Sequence, residues 1–238
     1  MKTERKGIWQ EVLQRIGRAG IIPVAVIDDP RQALQLGRSV LDAGLDLIEI
    51  AMRTSRAMEA VKVLSNELPE ILVGAGTVFS VQVVDQALSA GAGFIVSPHV
   101  DEEIVEYCAR NMVLCIPGAF TPSEIERAIL AATRGIEPYH LQGTKELPIV
   151  IKIFPASTGG PGHIMAMKAV FPDVRFLPLG GVNAGNLTEY LDAGAWAVGG
   201  TWICKRELIE SGNFVRISEL IREATSIIAT ARKRQAES

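Results

Sequence analysis

The chain has 238 residues, of which 48% are hydrophobic and 21% charged, and its formal net charge is -3. That length buries a large core and fits one α/β barrel, and the balance is that of a globular protein. No basic excess points to a nucleic-acid partner, and no apolar run approaches the roughly 18 residues that span a membrane.

Residues 1–19 are predicted as a helix ahead of the first strand. The opening MKTERKGIWQ lacks the apolar stretch of a secretory leader, so a cytoplasmic location is expected by elimination. Eight β-rich apolar runs then follow: Ile21–Ile27, Leu47–Met52, Ile71–Ala75, Phe94–Ser97, Val113–Pro117, Ile149–Phe154, Val174–Leu179 and Ala195–Val198. Amphipathic stretches separate them, at Arg31–Ala43, Arg56–Leu68, Val81–Ala90, Glu102–Asn111, Ser123–Ala132, His163–Val170 and Ala184–Ala193. Such alternation calls for parallel strands joined by crossover helices. The predicted fold is therefore α/β, a (β/α)8 TIM barrel with an extra N-terminal helix. The whole chain reads as a single domain, with the barrel at 20–212 and a C-terminal helix and tail at 213–238. An open doubly wound sheet is the alternative, but no G-x-G-x-x-G turn follows the first strand.

Local punctuation agrees. Gly44, Gly91 and Gly194 end Ala-Gly pairs at helix C-termini. Ser80, Asp101, Thr121 and Asn183 stand where N-caps belong. Thr133–Pro148 is long for a barrel connection, and no role is assigned to it. Cys108, Cys115 and Cys204 are odd in number and contain no C-x-x-C pair, so they are expected to be buried free thiols. The histidines, His99, His140 and His163, lie far apart and suggest no metal cluster.

The chemistry lies where strand rules are broken. In IVIKIF, Ile149, Ile151 and Ile153 share one face and Val150, Lys152 and Phe154 the other. The all-Ile face suits the helix layer, so Lys152 points into the barrel, where lysine is rarely buried without a reason. In the second strand, Glu49 and Arg53 face inward together, about 13 Å apart along the strand. Arg53 then lies at the C-terminal mouth and Glu49 deeper. A structural lysine, or a buried Glu49–Lys152 ion pair, would be the plainer reading, though such pairs are costly and weakly stabilising.

A lysine amine attacks a ketone only when neutral, and burial and a nearby cation both lower its pKa. The resulting iminium withdraws electrons, so the bond between C3 and C4 of a 2-keto acid breaks. Glu49 is placed to move the proton of the C4 hydroxyl, and Arg53 to hold the carboxylate. Gly180-Gly181 and Gly199-Gly200, followed by Thr201, fall after the last two strands, where barrels commonly bind phosphate through backbone N–H groups. Such glycines also serve merely to permit tight turns.

The strings IEIAMRT, VGAGTV, VSPH, KIFPAS, LGGVNAGN and VGGTW together resemble the 2-keto-3-deoxy-6-phosphogluconate / 4-hydroxy-2-oxoglutarate aldolases over roughly residues 10–225. The resemblance implies a class I aldolase that releases pyruvate, needs no metal or other cofactor, and forms a homotrimer. By position, Lys152 matches the Schiff-base lysine and Glu49 the catalytic glutamate. Arg53 and Thr77 match residues around the pyruvate carboxylate, and Pro98 and Phe154 the apolar lining. Gly180, Gly181, Gly199, Gly200 and Thr201 match the phosphate site. Three departures stand out. Leu179 replaces the threonine usual before the first glycine pair in enzymes of the gluconate substrate. His99 replaces a small residue, and the 133–148 segment is long. The implied reaction cleaves a 2-keto-3-deoxy-6-phospho sugar acid to pyruvate and glyceraldehyde 3-phosphate. The 4-hydroxy-2-oxoglutarate and galactonate-epimer reactions are its alternatives. Two rivals are another phosphate-binding barrel enzyme, which leaves Lys152 unexplained, and a barrel that binds ligand without turnover.

Overall fold

The structure is a computed structural model and describes residues 8–136 and 147–237. Helix α1 (Ile8–Ala19) opens it. Then come β1 (Ile21–Ala25), α2 (Arg31–Asp42), β2 (Leu47–Ala51), α3 (Ala57–Glu67), β3 (Leu72–Gly76), α4 (Val81–Ser89), β4 (Phe94–Val96) and α5 (Glu102–Arg110). Strands β5 (Leu114–Ile116) and β6 (Gly118–Ala119) precede α6 (Pro122–Gly135), β7 (Ile151–Ile153), α7 (Ala156–Val170) and β8 (Phe176–Pro178). The chain closes with α8 (Leu187–Asp192), β9 (Val198–Gly200), α9 (Arg206–Glu210) and α10 (Phe214–Ala236).

This is a mixed α/β fold in which all the strand pairs described are parallel. One sheet runs β5-β4-β3-β2-β1-β9 and the other β6-β7-β8. The predicted run Val113–Pro117 holds β5, and an unpredicted short strand, β6, follows beyond Pro117, which has no N–H to offer a ladder. Backbone bonds also link the sheets. Val150 donates to the Cys115 carbonyl and Cys115 to that of Pro148, each at 3.0 Å. Trp196 donates to the Phe176 carbonyl at 2.9 Å.

The strands are almost wholly buried, as expected of a parallel sheet covered by helices. Ile149 and Ile151 face Ile129 of α6 and Val170 of α7 across an outer cavity, so the isoleucine face does meet the helix layer. Trp9, Leu13 and Ile16 of α1 are buried at helical spacing. Arg15 of α1 pairs with Asp46 at 3.0 Å and donates to the Asp46 and Glu70 carbonyls, both at 2.7 Å. Those residues lead into β2 and β3, so α1 sits at the strands' N-terminal end and leaves the opposite end open.

The caps divide. Ser80, Asp101 and Thr121 accept from backbone N–H groups of α4, α5 and α6, and Thr121 completes a capping box with Glu124. Asn183 does not cap α8; its side chain accepts from the Gly185 N–H in the preceding turn, and the helix starts four residues later. Gly44, Gly91 and Gly194 have φ of 82°, 102° and 95°, as expected. Helix α7 starts earlier than predicted and breaks at Gly160, whose φ is 63°. His163 thus lies within a helix. Helix α9 was not anticipated. Most of Thr133–Pro148, with His140, lies outside the described residues. The three cysteines are free and buried. Among the described residues, no helix is long and apolar enough to cross a membrane.

Candidate active site

Lys152 occupies the middle of β7 and Glu49 the middle of β2. They are 4% and 2% exposed, so both charged side chains are inside the core. In the register, Glu49 lies opposite Gly74 of β3, and Lys152 opposite Gly118 of β6 and Leu177 of β8. Their side chains meet in one cavity of about 140 Å³, walled also by Arg53, Thr77, Leu179 and Thr201. These residues come from the C-terminal ends of β2, β3, β8 and β9. Arg53 is exposed at the rim and Glu49 lies below it, the predicted order. The Arg53 Nε–H donates to the Thr77 hydroxyl at 3.3 Å.

Thr77 has φ of 59°, an outlier for a β-branched residue. Such strain costs about 1–3 kcal/mol and collects at functional sites. Its neighbour Gly76 has another function, which sequence reasoning missed although VGAGTV was in view. A Cβ on Gly76 would stand 1.8 Å from Glu49 Oε1. Glycine there makes the space the carboxylate occupies. Gly76→Ala is therefore expected to displace the carboxylate and lower turnover by about 10²-fold, the usual cost of a misplacement near 1 Å. Steady-state kinetics beside a thermal melt check this; wild-type values in both would mean that Glu49 does not depend on the gap.

Burial dominates the electrostatics. It raises the Glu49 carboxyl above its ordinary pKa, against the attraction of Lys152 and Arg53. It lowers the Lys152 pKa, with Glu49 opposing and Arg53 assisting. Both shifts favour the neutral forms. Among the described residues no ion pair joins Glu49 to Lys152, and Glu49 Oε2 is buried without a hydrogen-bond partner. The salt-bridge reading thus finds no support. The Phe154 ring centroid lies 4.8 Å from Lys152 Nζ, an apolar lid beside the amine. Cys204, also in the wall, is pushed up to about 12 by burial and stays an inert thiol. The arrangement offers an amine biased toward its neutral form, a carboxyl poised to exchange protons and a cation at the mouth. Among the described residues, no group of three or more His, Cys, Asp or Glu could hold a metal ion.

The other predicted residues are placed unevenly. Pro98 approaches the Lys152 level indirectly, since its carbonyl oxygen lies 2.3 Å from where a Cβ on Gly118 would stand. His99 stacks on the exposed Phe79 at the rim, with centroids 5.4 Å apart. Gly180 and Gly181 form a loop with φ of 90° and 91°, which only glycine adopts freely. The KIFPAS segment ties it down: Ala156 and Ser157 N–H groups donate to Leu179 and Gly180 carbonyls at 2.8 and 2.9 Å. Gly199 and Gly200 are not in a loop; they end β9 and are buried. Lys205 and Arg206, which also line the cavity, were missed. Their only sequence signal was proximity to the second glycine pair.

The family model for KDPG and KHG aldolase matches residues 12–220. A 2-dehydro-3-deoxy-phosphogluconate aldolase of Pseudomonas aeruginosa is 34% identical over 217 residues, which cover 90% of this chain and 92% of the relative. A KHG/KDPG aldolase of Escherichia coli K12 is 30% identical over 219 residues, covering 91% and 96%. Among solved structures, a KDPG aldolase from Legionella pneumophila, with pyruvate captured at low pH as a covalent carbinolamine intermediate, is 30% identical. It superposes with a TM-score of 0.78 over 94% of this chain and 99% of that one.

Proposed function

Since the chain belongs to the KDPG and KHG aldolase family, we infer that it is a class I aldolase, a carbon–carbon lyase working through a Schiff base on Lys152. Its substrate is a 2-keto-3-deoxy-6-phospho sugar acid, cleaved to pyruvate and glyceraldehyde 3-phosphate. The observation that carries this reading is the buried Lys152 amine, without an acidic partner among the described residues, in one cavity with Glu49.

The neutral Lys152 amine adds to the C2 ketone and gives a carbinolamine, whose hydroxyl takes the proton of the neutral Glu49 carboxyl and leaves as water, so that the iminium and the Glu49 carboxylate form together. Glu49 as carboxylate, directly or through a water, takes the proton of the C4 hydroxyl. The C3–C4 bond breaks, its electron pair moves toward the iminium nitrogen, and the aldehyde leaves. Glu49 returns the proton to C3 of the enamine, and water hydrolyses the iminium to free pyruvate and the amine. Arg53 and Thr77 hold the carboxylate and Phe154 and Pro98 supply apolar surroundings. The first glycine pair and Thr201 border the distal anion.

The scaffold of this site is a single (β/α)8 barrel domain, a reading supported by the backbone bonds from Cys115, Val150 and Trp196 between the sheets. The protein assembles as a homotrimer; the exposed Phe79 and Met165 are apolar surface for a second copy. Borohydride reduction in the presence of pyruvate tests the chemistry. The expected product is a reduced pyruvyl group on the peptide containing Lys152. Labelling at another residue, or none, would sink the assignment.

A further inference from the structure

Two cations stand at the cavity without an acidic partner among the described residues, Arg53 and Lys205. The third, Arg206, is committed: it pairs with Asp28 at 2.7 Å and Glu210 at 3.0 Å. Arg53 stands above Glu49 and is assigned to the substrate's carboxylate. Lys205 lines the same cavity, four residues after Thr201, and also borders a neighbouring cavity with Asn183, Gly185 and Trp202. Arg216 in that second cavity is tied to Glu219 at 2.8 Å, so among the described residues the cation there without an acidic partner is again Lys205.

The backbone near Lys205 is poorly suited to hold an anion alone. A Cβ on Gly199 would stand 2.4 Å from Leu179 Cδ1, so the Leu179 side chain lies over Gly199, while one on Gly200 would meet Ile203 and Ile21. Gly199 and Gly200 are themselves buried in β9. Leu179 thus both lacks a hydroxyl and screens Gly199. An anion at this end is left with the first glycine pair, the exposed Thr201 and whatever charge the rim supplies.

We propose that Lys205 is a specificity-determining residue, whose ammonium receives the distal phosphate of a 2-keto acid while Arg53 receives its carboxylate. This rests on the aldolase reading above. A lysine suits the place: its compact charge on a flexible stem reaches a mobile, multiply charged group without fixed geometry. At an exposed rim its effect falls on substrate capture rather than on bond breaking.

The test compares kcat/KM for the phosphorylated six-carbon keto acid and for the same acid without its phosphate. Lys205→Ala is expected to lower the ratio of the two by about tenfold, the lower range for a charge-assisted contact at an exposed site. The loss should fall in KM rather than kcat, and Lys205→Arg should restore most of it. The KM of the wild type for the phosphorylated acid should also rise with salt more steeply than that of Lys205→Ala. An unchanged ratio, or an equal loss with both acids, overturns the role of Lys205 while leaving pyruvate trapping at Lys152 intact. Failure of the wild type to trap pyruvate overturns the aldolase reading and this inference together.

Discussion

Replacing Lys152 by alanine or methionine is expected to remove turnover by at least about 10⁴-fold, the order of loss when a covalent nucleophile is deleted. No other side chain in the cavity can substitute. The guanidinium groups of Arg53 and Arg206 are not nucleophiles, and burial holds Cys204 as a thiol. Lys205 is exposed on the rim rather than sunk beside Glu49. Lys152→Arg should be as inactive as Lys152→Ala, because a guanidinium stays protonated and is no nucleophile. The alanine and methionine variants should fold, since both replace a buried amine by an apolar side chain. Pyruvate release and borohydride labelling check the outcome. Residual activity within tenfold of wild type, in a folded variant, would move the Schiff base elsewhere. The pH dependence has a definite sign. Burial lowers the Lys152 pKa, so the neutral fraction grows as pH rises through that lowered value. The initial rate of adduct formation should therefore fall on the acid side and reach its plateau below the pH that an ordinary lysine would need.

Glu49→Gln is the second large effect. Turnover should drop by about 10²–10⁴-fold, the usual contribution of a positioned acid–base group. Trapping of pyruvate on Lys152 should survive, because the amide keeps the shape and the amine keeps its burial. The same change should not lower thermal stability. Among the described residues Glu49 Oε2 has no hydrogen-bond partner, and burial already pushes the carboxyl toward its neutral form, so the buried acid costs the folded state stability. A melt at or above the wild-type temperature, with turnover lost and labelling kept, is the expected combination. Turnover near wild type would assign proton transfer to another group, and a lower melt would mean that Glu49 serves the core.

Much of this was readable from residues close together in the chain. Alternation with period two put Lys152 and Glu49 on inward faces, and one strand length separated Arg53 at the rim from Glu49 below it. The capping residues Ser80, Asp101 and Thr121 act within four residues of themselves. Such features are legible because side-chain direction in a strand, and the orphan N–H groups of a helix start, are decided by the local backbone. Asn183 shows the limit: a good capping residue was used for an internal turn, because the loop after Gly181 continues before α8 begins.

What the alternation could not reveal is which distant residues share space. That Glu49 occupies the room left by Gly76 follows from the register of β2 on β3, where Ala51 lies opposite Gly76. That Leu179 lies over Gly199 follows from the closeness of β8 and β9. Lys205 became visible as a wall residue only once α9 followed the last strand on the same side as the site. Each of these is a contact between segments whose order in the chain does not set their distance. Pairing register and the curvature of the sheets set it, through side chains packed at nearly crystalline density. Local chemistry therefore determined which groups point inward, and packing decided which of them touch.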